Sequence, residues 1–450
     1  RVLLARSKSR PARSHRQGLN FSVMRRRLVA IVMTVCVATA HRPRQRSSLA
    51  FLDRVHAKSS HERNQRANLF QPSTDSELNI EISSALKSIS SESKAPDVDI
   101  SAVLEFERNG HTVTRNIFDG AEIAALDPHI RALFTRREFD AWLHSTRVML
   151  GDEAVYDDFG ELMLETSEEC REALEEYDVL LPFLQVFNSW RVDAVVRAVA
   201  SSPRLARTAA TLLGVPRVRL YQDSMFLKRS GDGETRWHSD LHMAPFDTNH
   251  MVTAWIPLDH VPAQDEGGTG LTFASGSHRD FALPFWSRPH ESGTDFSARY
   301  ADVLNDHGSL RVGDATWHHG WTLHSAPPND PWFGVPDDDE DALPTNTRPR
   351  LALTVSFIAD GARLQARPLG EKPLQAGETK EGTVGNGAAE EVAAAAAATE
   401  EATSPAPQQV VVPIDDEDRS SYEEWVGDLA PGAVADHPLL PVVWGGSNHP

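Results

Sequence analysis

The stretch "RWHSDLHM", Arg236–Met243, sets a histidine and an aspartate two residues apart, beside a run of β-rich sequence. On a strand, residues i and i+2 point to the same face, so His238 and Asp240 can present two ligand groups into one cavity. The chain contains nineteen histidines and repeats the spacing at His278 and Asp280. The spacing alone is therefore weak, and the surroundings must separate the two copies. His278 lies in "SGSHRDF", just after a glycine turn, where loop chemistry explains the spacing equally well.

Outward from Arg236 the period of the sequence is that of strands. "VRLYQDSMFLK", "MVTAWIPLDHV", "GLTFASGS", "DATWHH", "WTLHSA" and "RLALTVSFIA" are short β-rich runs punctuated by Gly, Pro, Asp and Asn. Upstream, "DISAVLEFERNGHTVTRNIF" reads as a helix and a strand, and "DGAEIAALDPHIRALF" as a capped amphipathic helix. "FNSWRVDAVVRAVAS" and "SPRLARTAATLLG" continue the helical spacing. Helices first and strands later is the α+β pattern, and many short strands suggest a jelly roll or barrel.

A facial triad of two histidines and one carboxylate needs a second histidine from a distant strand, and leaves three metal positions open. His324 in "WTLHSAPPN" is the best candidate, with His318 and His319 as competitors by type. In "RPRLALTVSF" the alternation puts Arg350, Ala352, Thr354 and Ser356 on one face and Leu351, Leu353, Val355 and Phe357 on the other. Arg350 at the head of the polar face suits a bidentate grip on a carboxylate; the alternative is a strand end with its arginine in water. Arg348 shares its parity and is the substitute.

Composition bounds the partners. The net charge of −19 is unevenly spread: residues 1–52 hold twelve of the 45 Lys and Arg and none of the 64 Asp and Glu, leaving about −31 on the remaining 398 residues. An acidic body argues against nonspecific nucleic-acid binding. Cys36 and Cys170 make neither a disulfide framework nor a cysteine zinc site. "MRRRLVAIVMTVCVATAH", from Met24, has the basic, apolar and small-residue parts of a secretory signal, and its apolar run is too short for a stable membrane span. The Arg- and Ser-rich stretch behind it has transit-peptide composition, so an organellar or secretory-route destination is expected, a plastid among the options. The organisation read here is a basic targeting segment over 1–52, a linker or transit-like segment over 53–96, a catalytic domain over 97–370, a low-complexity Ala/Glu-rich insert over 371–409, and a segment over 410–450 that packs on the domain.

Taken in order, these motifs resemble the phytanoyl-CoA dioxygenase family of iron(II)- and 2-oxoglutarate-dependent oxygenases. "LEFERNGHTVTRNIFDGAEIAAL", "YQDSMFLKRSGDGETRWHSDLHM", "VTAWIPLDHV", "GGTGLTFASGSHR" and "GDATWHHGWTLHSAPPN" followed by an arginine strand carry the resemblance, over roughly Ser101 to Phe357. It implies a double-stranded β-helix core, jelly-roll or cupin-like, with flanking N-terminal helices. It also implies His238, Asp240 and His324 as iron ligands, and Arg350 on the distal carboxylate of 2-oxoglutarate. Trp255 then lines the cosubstrate site and Ser224 reaches it, while Lys228 is either a site residue or a solvated charge at a loop edge. Dioxygen would be the oxidant and a small molecule the substrate, with no protein partner implied. A carboxylate at 240, where family halogenases have a small residue, favours hydroxylation. Two departures stand out. Ser325-Ala326 follows the distal histidine where relatives have Gly-Ser, and an acidic insertion, "DPWFGVPDDDEDALPTNT", separates His324 from Arg350. A noncatalytic jelly-roll binding protein and a cupin-like metalloenzyme without 2-oxoglutarate are the alternative readings.

Overall fold

The computed structural model describes residues 80–94, 97–280, 293–334, 348–365 and 418–445. The targeting segment, the Ala/Glu-rich insert and most of the acidic insertion lie outside these residues. Among the described residues no helix is long and apolar enough to cross a membrane.

The helical layer comprises α1 (Ile80–Ile89), α2 (Ile100–Asn109), α3 (Gly120–Arg136), α4 (Glu138–Leu150), α5 (Ser167–Glu176), α6 (Ala194–Ala200) and α7 (Pro203–Leu213). Their ends follow from local chemistry. Asp119 and Glu122 close a capping box at α3, and α7 starts on Ser202 with proline at its first turn and stops at Gly214 in the left-handed region. The stretch "FNSWRVDAVV" is less helical than its spacing suggests. Phe187 ends a strand, and a 3-10 turn over Ser189–Arg191 precedes α6.

Helix α1 corrects the reading of 53–96 as linker. Ala85 and Ile89 are buried, Ser202 Oγ donates to the Ile89 carbonyl at 3.0 Å, and Arg204 Nη2 donates to the Ser88 carbonyl at 3.0 Å. Arg204 also forms a buried ion pair with Glu122 at 2.7 Å. The apolar face of "IEISSALKSI" is only a few residues wide, and its Ser- and Lys-rich composition hides it from a compositional reading.

The strands are β1 (His111–Thr114), β2 (Leu184–Phe187), β3 (Val218–Lys228), β4 (Thr235–His238), β5 (Phe246–Asp247), β6 (Met251–Pro257), β7 (Thr272–Ala274), β8 (Leu304–Asn305), β9 (Ala315–His319), β10 (His324–Ala326), β11 (Arg350–Ala359), β12 (Arg363–Leu364) and β13 (Val442–Trp444). A seven-stranded antiparallel sheet runs β1-β9-β6-β11-β3-β13, with β2 also paired to β3; a four-stranded sheet runs β4-β10-β7-β8. These are the major and minor sheets of a double-stranded β-helix, flanked by N-terminal helices. One face of the major sheet, with Leu353, Val355, Phe357, Met225, Ala254 and Trp317, is buried in one core with residues of α1–α7. The other face carries most of the polar residues of the sheet.

Register sets that inner face in rows. His111, His318, Thr253, Ser356 and Gln222 are successive partners across β1, β9, β6, β11 and β3. The next inward row is Val113, Thr316, Trp255, Thr354 and Ser224, and the far end pairs Arg350 with Lys228. The other end is filled by Tyr221, Phe246, Leu241 and Ile358 against Tyr422 and Trp425 of the C-terminal segment, which enters through a short helix, α8 (Arg419–Tyr422).

Candidate metal centre

His238 is the last residue of β4, pairs with His324 of β10, and His324 pairs in turn with Phe273 of β7. Asp240 does not lie on the strand itself. Ser239 stays extended and Asp240 opens a one-turn helix, so the alternation persists for two residues beyond the ladder. One ligand atom from each of His238, Asp240 and His324 lies within 4.8 Å of the others. Asp240 Oδ1 stands 3.4 Å from His324 Nε2 and 3.8 Å from His238 Nε2.

The hydrogen bonds at the far side of each ring fix what the near side can do. His238 Nδ1 meets the Arg236 carbonyl at 2.7 Å, and His324 Nδ1 meets the Thr322 carbonyl at 3.0 Å. A carbonyl only accepts, so both Nδ1 atoms carry the proton and both Nε2 atoms are bare. Two nitrogen lone pairs and a carboxylate oxygen thus converge with no proton to share, which is the donor set a divalent cation requires. Burial drives the His324 imidazole well below its ordinary pKa, with His238 and His318 adding to the effect, so it is neutral as a ligand must be. Burial alone would raise the Asp240 carboxyl; His318, which also hydrogen-bonds it, leads the groups that outweigh burial and hold it well below the usual carboxylate range.

The two competing histidines are accounted for differently. His319 Nε2 donates to the Asn249 carbonyl at 2.7 Å and its Nδ1 accepts from the Trp321 amide at 3.1 Å, so neither nitrogen is left for a metal. His318 sits against Asp240 from the major sheet, with Nε2 2.9 Å from Oδ2. The second His-x-Asp pair goes elsewhere. His278 lies in a 3-10 turn against Gly110 and His319, while Asp280 accepts the Tyr300 hydroxyl at 2.6 Å.

Arg350 is buried, with its guanidinium carbon 5.0 Å from the centre of the Trp255 ring. Its Nη1 donates to the Thr269 carbonyl, and its Nε has no partner. Burial lowers its pKa to about 10, which leaves it charged at neutral pH. Ser224 is buried and accepts from Gln185 Nε2 at 3.2 Å. Lys228 is no solvated loop-edge charge. It is fully buried, donating to the Gly233 and Pro182 carbonyls at 2.7 and 3.0 Å, and burial followed by the nearby Arg350 lowers its pKa to about 7. Ser325 alternates away from His324 and faces a separate cavity of about 310 Å³ that Arg236, Trp237 and Ser297 also line. Sequence reasoning did not find Thr253, Gln185 or Gln222, which become visible only once the cross-strand register is known.

No curated protein matches the chain. Among solved structures it is similar to the non-haem α-ketoglutarate-dependent carbocyclase SnoK from nogalamycin biosynthesis, at 16% identity over 77% of this chain and 97% of that one, with a TM-score of 0.43. It is similar also to the epimerase SnoN from the same biosynthesis, at 18% identity over 76% and 98%, TM-score 0.40. EctD from S. alaskensis, solved with 2-oxoglutarate and 5-hydroxyectoine, is 17% identical over 60% and 79%, TM-score 0.38. The family model for phytanoyl-CoA dioxygenase (PhyH) matches residues 106–330, a span that takes in His238, Asp240 and His324. With half its length under that match, the chain belongs to the PhyH family.

Proposed function

We propose that the protein is an iron(II)- and 2-oxoglutarate-dependent oxygenase that hydroxylates an unactivated C–H bond of a small-molecule or lipid-like substrate. The observation that carries this reading is the proton-free convergence of His238 Nε2, His324 Nε2 and Asp240 Oδ1. These three atoms would hold iron(II) on one face and leave the opposite positions for cosubstrate and dioxygen. When bound, iron and 2-oxoglutarate supply the chemistry: oxidative decarboxylation by dioxygen, giving succinate, carbon dioxide and the oxidising equivalent that breaks the C–H bond.

The chain's own residues bind and orient. Arg350 is a buried guanidinium with no ion-pair partner among the described residues, which is costly unless an anion arrives. It would take the distal carboxylate of 2-oxoglutarate bidentately. Trp255 forms the wall beneath that guanidinium, and Ser224, in the same cross-strand row as Trp255, offers a hydroxyl. Lys228 acts indirectly: its amine is bonded to the Pro182 and Gly233 carbonyls, which fastens that loop beside its cross-strand partner Arg350. Residues 97–370 contain no run of three or more Lys or Arg to receive the phosphates of a CoA thioester, which favours a smaller or less anionic substrate.

The test is an anaerobic titration of the purified protein with iron(II) and 2-oxoglutarate. A visible charge-transfer band that requires both additions and is absent from His238→Ala establishes the chelate. Iron binding without the band removes 2-oxoglutarate from the reading and leaves a cupin-like metalloenzyme. No iron binding at all leaves a binding protein. Succinate release with candidate small molecules then finds the substrate.

A further inference from the structure

Three histidines surround the Asp240 carboxylate, and their hydrogen bonds divide them into two kinds. His238 and His324 both spend their Nδ1 proton on a backbone carbonyl and turn a bare Nε2 toward Oδ1. His318 does the reverse. Its Nε2 lies 2.9 Å from Asp240 Oδ2, and a carboxylate only accepts, so Nε2 carries the proton. Its Nδ1 is buried and has no hydrogen-bond partner. Moving the proton to Nδ1, as a ligand role would need, would leave an unsatisfied buried donor there and lose the bond to Asp240.

Thr253 completes the arrangement. It is the cross-strand partner of His318, and its hydroxyl donates to the same Oδ2 at 2.6 Å. Ser356, the next residue in that row, lies 3.0 Å from the Thr253 hydroxyl. Phe273, whose ring centroid is 5.5 Å from that of His318 and 6.1 Å from that of His324, packs between the two sheets and holds both rings. Two donors from the major sheet therefore occupy one carboxylate oxygen, while the other faces the two histidines of the minor sheet.

We propose that His318 is a positioning residue that, with Thr253, restricts Asp240 to binding metal through Oδ1 alone. This rests on the metal-centre reading above. A carboxylate released from this clamp can rotate and chelate through both oxygens, filling a position the cosubstrate or dioxygen needs. The orientation of Asp240 is thus set by the sheet opposite the one that supplies the histidine ligands, so the number of open metal positions depends on how the two sheets face one another.

Anaerobic titration of the full chain with cobalt(II), followed by its visible d–d bands, tests this without turnover. His318→Phe is expected to bind cobalt about 10- to 100-fold more weakly, with altered band shape, and His318→Gln, whose amide can still donate, to recover most of the loss. Thr253→Val is expected to act in the same direction and to add little once His318 is already Phe, because both release one oxygen. The metal-free His318→Phe protein should melt within about 2 °C of the parent, since the substitution also removes a buried unpartnered nitrogen. Unchanged affinity and spectrum in both single variants overturns the proposal. So does binding abolished in His318→Phe as completely as in His238→Ala with no recovery in His318→Gln, because His318 would then be a ligand itself. A parent protein that binds no cobalt overturns the metal centre and this inference together, whereas normal parent binding with silent variants overturns the inference alone.

Discussion

The two His-x-Asp pairs, His238/Asp240 and His278/Asp280, have the same spacing and opposite fates. At 238 the chain stays extended through Ser239, and a second strand delivers His324 opposite His238. At 278 the chain has just passed Gly276 at φ 84°, and it curls into a 3-10 turn that sends the imidazole toward Gly110 and the carboxylate toward Tyr300. What separates them is the partner strand. A ligand pair becomes a site when another strand pairs beside it with a third donor, and a spacing in sequence cannot report that.

The largest effect should come from removing the carboxylate of each pair in turn. Asp240→Ala should lose metal affinity by more than the ~100-fold that losing an outer partner costs, whereas Asp280→Ala should leave affinity untouched and cost about 1 kcal/mol of stability through the lost Tyr300 bond. Parallel metal titrations and thermal melts of the two variants measure both; equal losses of affinity would erase the distinction.

Arg350 sharpens the comparison, because it is a buried cation on the inward face of the major sheet. Arg350→Met should raise the 2-oxoglutarate concentration for half-saturation by roughly 10- to 100-fold and leave metal affinity in place. Titrating the charge-transfer band with 2-oxoglutarate at saturating iron reads this directly. Arg350→Lys should not restore it, since an ammonium cannot reproduce the planar fork.

The structural character of the second pair predicts a different sensitivity. A Cβ on Gly110, at φ 81°, would come within 2.4 Å of His278 Nδ1 and 2.5 Å of Thr322 Oγ1. Gly110→Ala should therefore destabilise the fold by roughly 1–3 kcal/mol. His278→Ala in the same chain should recover part of it by removing one of the two clashes, as judged by denaturant midpoints.

The smallest effect concerns pH. Lys228 has its pKa lowered from 10.5 to about 7 in the folded protein, so between those values the unfolded chain binds more protons than the native one. Stability should therefore rise as pH climbs from about 7 to about 10 by way of this residue, and that component should vanish in Lys228→Met. Melting temperatures of the two proteins across that range should converge or diverge accordingly; parallel curves would show Lys228 charged throughout.

Much of this was legible in the chain. The strict alternation of "RLALTVSFIA" placed Arg350, Ala352, Thr354 and Ser356 on one face, and the structure turns that face inward. The displacement of the Ser325 hydroxyl by one position was legible as well, and Ser325 lines the cavity beside Trp237. The clamp on Asp240 was not legible. "WHH" offers two histidines of identical composition, and only the register with Thr253 and the bonds at Asn249 and Trp321 separate the one that meets Asp240 from the one that holds a loop. Lys228 failed for a related reason. A lysine before a glycine-rich loop reads as solvated, yet the Gly233 and Pro182 carbonyls fold over it and exclude water. Helix α1 was missed because tertiary contacts with Arg204 and Ser202, more than a hundred residues away, supply what its own composition does not.

The C-terminal return has a consequence for the order of events during folding. Trp425 and Tyr422 fill one end of the sheet, the Arg147–Glu423 pair ties that return to α4, and β13 adds an edge to β3 from more than two hundred residues later in the chain. Pairings this distant in sequence are slow to form. Tyr221, Phe246 and Leu241 share one cluster with Tyr422 and Trp425, so a chain stopped before residue 418 exposes apolar surface at that end of the sheet. Closure of that apolar end of the sheet therefore waits on the docking of the 418–445 segment, however early the strands before it have paired.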